Sequence, residues 1–252
     1  MPKMVELLLL IVAGFASGVL NAVAGGGTFI TFPVLVYLGV PPVSANATAT
    51  LSALPGYASG AWAFRNDIRA EGSLGIIGTL VIAAIGSIIG GVLLILTPGD
   101  AFLAIVPWLL ALATLLFAIG PRLLIAIRQR GIGNAGHVVS GGVILAVSIY
   151  GGYFNGGLGI MLLAALGLIG YVNLHGMNGL KSALSALLSL ISAMTFVYAD
   201  LIAWEPAAAL AVSATLGGYI GASASRKITR MDLLRIFITL IGTAMTIAFF
   251  LK

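Results

Sequence analysis

The sequence predicts an all-α integral membrane protein built from two inverted repeats of five segments each. First, its 252 residues are 60% hydrophobic and only 8% charged, with a mean hydropathy of +1.17, whereas soluble domains carry about 25% charged residues. Second, most of its apolar runs reach the length of about 20 residues that a helix needs to cross a bilayer. Third, a glycine-rich pattern in the first half of the chain recurs in the second half.

Prolines, glycines and charged residues divide the chain into ten apolar segments. They are 4–24, 27–39, 44–64, 73–96, 101–120, 136–154, 156–171, 176–199, 204–224 and 231–251. The second and the seventh are too short to cross comfortably, and each follows a glycine cluster, where the backbone is free to turn. We therefore predict that these two are short broken or half-spanning helices that dip into the bilayer.

The two halves carry the same elements in the same order. Each has an asparagine ahead of its glycine cluster: Asn21, Gly25, Gly26 and Gly27 in the first half, and Asn155, Gly157 and Gly159 in the second. The tetrapeptide LSAL occurs at 51–54 and again at 184–187, and such internal similarity indicates a duplicated unit. We predict a first transmembrane repeat over 1–120, a cytoplasmic linker over 121–135, and a second, inverted repeat over 136–252.

Loop charges predict the orientation of the two repeats. An odd number of crossings in each unit turns the second unit upside down, and the charges agree with this inversion. Loop 65–72 contains two arginines, whereas its counterpart contains Asp200 and Glu205 but no lysine or arginine. By the positive-inside rule, loops 65–72, 121–135 and 225–235 are cytoplasmic, and both termini lie outside.

Two features near the ends of segments need an interpretation. The N-terminal segment resembles a signal peptide. However, Glu6 places a negative charge in the region that should be basic, and the glycine pattern at the end of the segment recurs in mid-chain. We therefore interpret the segment as a spanning helix. Aromatic residues flank the arginine-rich loop and the Asp200 loop, and we interpret them as interfacial belts. They are Tyr57, Trp62, Phe64, Tyr198 and Trp204.

Broken helices at matching positions of inverted repeats mark the substrate site in many secondary transporters. The N-terminus of a half-helix presents unpaired N–H groups and a positive dipole end, which attract anions. The alternative is that the glycines only allow close packing of helices, as we expect for Gly86 with Gly90 and for Gly217 with Gly221. We favour a functional role for the two clusters because they recur beside short segments.

A single lysine, Lys181, lies in the eighth segment at the edge of a polar stripe. The stripe follows helical spacing and consists of Ser182, Ser185, Ser189 and Ser192. Lys181 is only about five residues into its segment, so snorkelling to the interface is the alternative interpretation. Carboxylates occur only near the ends of the apolar segments, so none lies in their interiors to neutralise the lysine, and we therefore predict that it meets an incoming anion.

Several elements follow one another in a characteristic order. In the first half they are Asn21, the glycines at 25–27, TFITFP at 28–33, Gly39 and NATAT at 46–50. In the second half they are Asn155, Gly157, Gly159 and NGLK at 178–181. Over essentially the whole chain, this order resembles the TauE/SafE family of sulfite exporters and sulfonate permeases. In that family, an Asn-Lys pair lies at the start of the corresponding helix, whereas here Gly179 and Leu180 separate Asn178 from Lys181.

The resemblance implies a permease that moves sulfite, thiosulfate or an organosulfonate across the cytoplasmic membrane of a bacterium or archaeon by alternating access. Lys181 would provide the positive charge for the anion, and the asparagines and glycine amides would donate hydrogen bonds to its oxygens. Thr48 and Ser182 would complete the set of groups around the anion. The full expected site is Asn21, Gly25, Gly26, Gly27, Thr48, Asn155, Gly157, Gly159, Asn178, Lys181, Ser182 and Ser185. We expect the anion and the lipid bilayer as the partners of this protein, and we expect no cofactor, no metal and no nucleic acid. A homo-oligomer is compatible with the sequence.

Other functional classes fit less well. The sequence contains no G-x-x-x-x-G-K-[ST] loop, so an ATP-driven mechanism would need another chain. His137 and His175 are far apart in the sequence, carboxylates occur only near segment ends, and cysteine is absent, which disfavours a membrane enzyme. A passive anion channel is the remaining alternative, because channels also use cationic residues and helix ends.

Overall fold

The computed structural model describes residues 3–23, 25–129, 136–225 and 231–251. Over these ranges the chain forms ten α-helices and no β-strand, which confirms the predicted all-α class. The helices are α1 (Lys3–Val23), α2 (Thr28–Tyr37), α3 (Pro42–Ala63), α4 (Ile76–Leu96), α5 (Gly99–Gln129), α6 (His137–Tyr153), α7 (Leu158–Leu168), α8 (Leu174–Tyr198), α9 (Trp204–Ser225) and α10 (Met231–Phe250).

Each of the ten predicted segments corresponds to one of these helices, and most boundaries agree within a few residues. The main difference is α5, which continues to Gln129, so the first part of the predicted linker at 121–135 is helical. The remaining linker residues at 130–135 and the predicted cytoplasmic residues at 226–230 lie outside the described ranges.

Four of the described helices are long and apolar enough to cross a membrane. They are α1, α4, the part of α5 from Gly99 to Gly120, and α8. In contrast, α2 has 10 residues and α7 has 11, which corresponds to a length of about 15 Å. Each of these two helices therefore covers roughly half of a hydrocarbon core about 30 Å thick.

A pair of glycines with left-handed backbone conformation brackets each short helix. Gly25 has a φ of 78° and Gly39 one of 87° on either side of α2, while Gly157 and Gly170 have values of 72° and 106° on either side of α7. Residues with a Cβ rarely adopt this conformation. The glycines therefore set where the two short helices start and stop, in the same way in both halves.

The helices pack in pairs that follow the order expected of a duplicated five-helix unit. α1 packs against α9 as α6 packs against α4, and α3 packs against α9 as α8 packs against α4. The helices α3 and α8 contact each other, as do α5 and α10. The inversion of the second unit relative to the membrane stays a prediction.

Small residues allow the two closest helix pairs to approach each other. A Cβ on Gly86 would lie 2.6 Å from Ser148 Cβ of α6, and one on Gly221 would lie 2.8 Å from Val19 Cα of α1. Gly90 and Gly217 are equally crowded, against α6 and α1 respectively. The predicted close packing at these four glycines is confirmed.

The predicted aromatic belts stay a prediction for three of the five residues and are wrong for the other two. Trp62, Tyr198 and Trp204 have more than half of their surface exposed, as an interfacial position requires. Tyr57 and Phe64 are only 1% and 3% exposed, so the belt interpretation is wrong for both. Both side chains turn inward, where the Tyr57 hydroxyl finds a hydrogen-bond partner and the Phe64 ring stacks on His175.

Candidate functional site

The two glycine clusters cross each other inside the protein. Gly159 N donates a hydrogen bond to Gly25 O at 3.3 Å. A Cβ on Gly159 would lie 2.5 Å from Gly25 Cα, and a Cβ on Gly25 would collide with the Gly159 backbone. Two backbones can approach this closely only because neither residue has a side chain. The crossing brings the beginnings of α2 and α7 together.

Asn21, in the last turn of α1, lies next to the start of α2 and has no exposed surface. Its Oδ1 accepts a hydrogen bond of 2.7 Å from Gly27 N, just ahead of α2. Its Nδ2 has no partner among the described residues. A buried donor without a partner costs about 1–3 kcal/mol, so Asn21 offers a donor that a bound group would satisfy.

Asn155, in the connection between α6 and α7, is buried as well, but both polar atoms of its side chain are engaged. Its Oδ1 accepts a hydrogen bond from Tyr57 Oη at 3.1 Å, and its Nδ2 donates one to Ser189 Oγ at 2.9 Å. Its backbone oxygen accepts a bond of 3.5 Å from Thr28 Oγ1. Asn155 therefore links α3, α8 and α2 to the second glycine cluster.

Backbone N–H groups near the crossing are also engaged in this conformation. Gly27 N is bound to Asn21 Oδ1 and Gly159 N to Gly25 O. The sequence predicted that glycine amides would donate to an anion, and these two would first have to release their present acceptors.

Lys181 lies in α8 with 0% of its surface exposed. Its Nζ donates a hydrogen bond of 3.3 Å to Asn178 Oδ1, the one partner that the described residues give it. An ammonium group can donate three hydrogen bonds, so most of its capacity is unused. A snorkelling lysine keeps its ammonium in water or among headgroups, and a fully buried lysine does not fit that alternative.

Contacts with α3 place Asn21 and the buried lysine at a similar level in the bundle. Gly56 and Gly60 lie one turn apart on one face of α3: a Cβ on Gly56 would lie 3.8 Å from Gly18 Cα, and one on Gly60 would lie 3.2 Å from Ser182 Oγ. Along α1, Asn21 lies about 4.5 Å of helix rise beyond Gly18. Along α3, Gly60 lies about 6 Å of helix rise beyond Gly56. Asn21 thus lies near the level of Ser182, the neighbour of the lysine.

The remaining predicted side chains on α3 and α8 have different surroundings. Ser182 Oγ donates to Asn178 O of its own helix at 2.9 Å, whereas Ser185 Oγ is buried without a partner in the described part of the chain. Thr48 Oγ1 accepts a hydrogen bond of 3.0 Å from Ala203 N. Since Thr48 is about 18 Å of helix rise from Gly60, the structure does not bring it to the lysine.

Tyr57 is the site residue that sequence reasoning missed. It links α3 to Asn155, although the two residues are 98 positions apart in the chain. Its position between Gly56 and Gly60 is a signal that could have found it, because small residues flanking an aromatic one indicate a close helix contact. Farther from the lysine, near the start of α3, Asn46 Nδ2 donates to Tyr153 O at 2.9 Å.

A cleft opens at the end of the bundle where α3 begins. It has a volume of about 350 Å³ and lies between the α2–α3 loop and the α8–α9 loop. Its polar lining includes Ser44 and Asp200. The charge pattern predicts that this end faces outward.

At the opposite end of the bundle, the α3–α4 and α7–α8 loops contact each other. Glu71 Oε2 accepts hydrogen bonds from Val172 N at 3.0 Å and from Asn173 N at 2.9 Å. Ser73 N donates to Ile169 O at 3.0 Å. The charge pattern predicts that this end faces the cytoplasm.

Comparison with known proteins identifies the family. The family model described as Sulfite exporter TauE/SafE matches residues 10–249. The chain belongs to the TauE/SafE family of membrane transporters. This membership confirms the resemblance seen in the sequence, and the matched range includes every candidate site residue from Asn21 to Ser185.

Two relatives of this TauE/SafE protein carry names that describe transport. It is 33% identical over 116 residues to a probable membrane transporter protein ORF9 from Sinorhizobium sp, covering 45% of this chain and 43% of the relative. It is 30% identical over 165 residues to a probable membrane transporter protein from Haemophilus influenzae, covering 65% and 63%. In both cases the aligned region spans less than two thirds of the relative's length.

Proposed function

We propose that this TauE/SafE protein is a secondary transporter of a small sulfur-containing anion, such as sulfite, thiosulfate or an organosulfonate. The observation that carries the proposal is Lys181, a fully buried ammonium with no carboxylate partner in the described part of the chain. Burying an uncompensated charge costs several kcal/mol. Binding an anion offsets that cost, so the lysine selects a negatively charged substrate. The family description supports a sulfur oxyanion within this class.

The transporter works by alternating access across the cytoplasmic membrane, with both termini outside. The anion enters or leaves through the cleft beside Asp200, and it is held at the level of Lys181 and Asn21. The contacts of Glu71 close the other end, about 12 Å of helix rise from Lys181. Their release would connect the lysine to the cytoplasm. A carrier needs one gate at each end of the substrate path, and the contacts of Glu71 would form the cytoplasmic gate.

Reconstituted protein should exchange sulfur oxyanions in a saturable way. The test is counterflow into liposomes with labelled sulfite, thiosulfate, taurine and benzenesulfonate, with benzoate as the carboxylate matched to benzenesulfonate. We expect at least one sulfur oxyanion to exchange with a measurable KM and to be preferred over benzoate. Uptake that stays linear with concentration and gives single-channel currents would identify a channel instead, and a preference for benzoate would contradict the substrate class.

The proposed orientation predicts that the Arg65 and Asp200 loops lie on opposite faces of the membrane. The chain contains no cysteine, so single substitutions Asn66→Cys and Ala199→Cys can be labelled without background. In intact cells, a membrane-impermeant maleimide should label Ala199→Cys, and it should label Asn66→Cys only after permeabilisation. Labelling of both sites from the same face would contradict the inverted arrangement.

A further inference from the structure

Two unpartnered polar atoms lie together on one face of α1. They are Ser17 Oγ and Asn21 Nδ2, on side chains that are 1% and 0% exposed. Residues four apart are neighbours on a helix surface. Two orphan atoms in one place are unusual, because buried polar groups almost always have a partner. Both atoms are therefore available to bind a group that enters the bundle.

The start of α2 lies against the same two residues. Gly27 N is bound to Asn21 Oδ1, and a Cβ on Gly27 would lie 2.7 Å from Asn21 Cγ and collide with the Ser17 backbone oxygen and hydroxyl. Gly27 directly precedes the ten residues of α2, whose N-terminal end carries a positive partial charge. The two orphan atoms and this helix end form one cluster.

The chemistry of the cluster fits an anionic oxygen and not a cation. The Asn21 oxygen already accepts a hydrogen bond from Gly27 N, whereas the amide donor has no partner among the described residues. The Ser17 hydroxyl can donate as well. A cation would require free oxygen acceptors, whereas this cluster offers two donors beside a positive helix end.

We propose that Ser17, Asn21 and the start of α2 form an oxygen-binding subsite for the transported oxyanion. The inference rests on the proposed function, because it assumes that the substrate is an anion. Lys181 neutralises the charge at a similar level of the bundle, and the subsite binds an oxygen that the lysine does not. The matching Asn155 has no free polar atom on its side chain, so it acts as a positioning residue. The two asparagines of the duplicated pattern thus have different roles.

Two substitutions test the subsite by separating substrate affinity from stability. Asn21→Asp keeps an acceptor for Gly27 N but replaces the free donor with an oxygen, and we expect KM for sulfite, thiosulfate or benzenesulfonate to rise at least about tenfold. Ser17→Ala removes only the orphan hydroxyl, and we expect it to raise KM by about threefold or more without lowering the Tm. Ser148→Ala is the matched control, because Ser148 Oγ is also buried without a partner but lies on α6.

The outcomes distinguish a subsite from a structural role. A higher KM in Ser17→Ala with an unchanged KM in Ser148→Ala supports the proposal. An unchanged KM in Ser17→Ala overturns it, since a site that holds only a structural water would change stability alone. If Asn21→Asp fails to fold, Ser17→Ala still decides the question. A wild-type protein that exchanges none of these anions would overturn the proposed function itself.

Discussion

Replacing Lys181 by methionine should abolish saturable anion exchange while leaving a folded, membrane-inserted protein. Methionine is similar in length but carries no charge, so it removes the attraction for the anion and also the cost of burying an ammonium. We expect exchange to fall by about a hundredfold or more, because a charged hydrogen bond and its Coulomb attraction are lost together. In the absence of substrate, the Tm of the variant should equal or exceed that of the wild type.

The ligand dependence of the Tm provides the second measurement. The wild type should gain thermal stability as the concentration of a transported anion rises, because the ligand binds the folded state. Lys181→Met should show no such gain. Lys181→Arg keeps the charge but changes its shape and its hydrogen bonds, so it should retain some exchange with altered selectivity. Exchange by Lys181→Met at the wild-type rate would refute the assigned role of the lysine.

These variants address an asymmetry between the two halves. The helices α3 and α8 occupy matching places in the chain and contact each other, but only α8 carries a lysine. The asparagines ahead of the glycine clusters differ as well: Asn21 has a free donor, whereas Asn155 is fully engaged. In the proposed site, the first half of the chain would thus provide a neutral donor and the second half the positive charge.

The helix pattern could be predicted from the sequence because local residues set most of its boundaries. Gly157 and Gly170 bracket α7, and their left-handed conformation follows from the lack of a side chain. The end of α5 could not be predicted in the same way. The linker was predicted to begin at 121, but the helix continues through Pro121 to Gln129, since a proline removes one backbone hydrogen bond and kinks a helix without always ending it.

The candidate site could be predicted only where it depends on local features. Lys181 stood out because it is a charged residue among apolar neighbours in α8, but its burial depends on tertiary packing, since the loop before α8 is exposed at Val172 and Leu174. Tyr57 and Thr48 could not be placed from the sequence, because their partners Asn155 and Ala203 are 98 and 155 positions away. A tyrosine near a loop can lie in an aromatic belt, or it can be buried with its hydroxyl group hydrogen-bonded. Only the tertiary contact shows which of these two positions Tyr57 takes.

The crossing of the two glycine clusters holds the candidate site together, so Gly25→Ala should have the largest effect on folding. The new Cβ would collide with the Gly159 backbone at a position where φ is 78°. Backbone atoms cannot rotate away as a side chain can, and we expect a loss of more than about 3 kcal/mol. Detergent extraction followed by heating and size-exclusion chromatography should show little folded protein.

Two glycine variants separate the collision from the backbone strain. Gly39→Ala imposes a similar left-handed strain, with a φ of 87°, but its Cβ would meet nothing within 4 Å, so it should cost only about 1–2 kcal/mol. Gly159→Ala has no positive φ but would place its Cβ 2.5 Å from Gly25 Cα, and it should destabilise the protein nearly as much as Gly25→Ala. Equal stability of the Gly25→Ala and Gly39→Ala proteins would mean that the two clusters do not cross, and the arrangement of Asn21 beside the start of α2 would then lose its support.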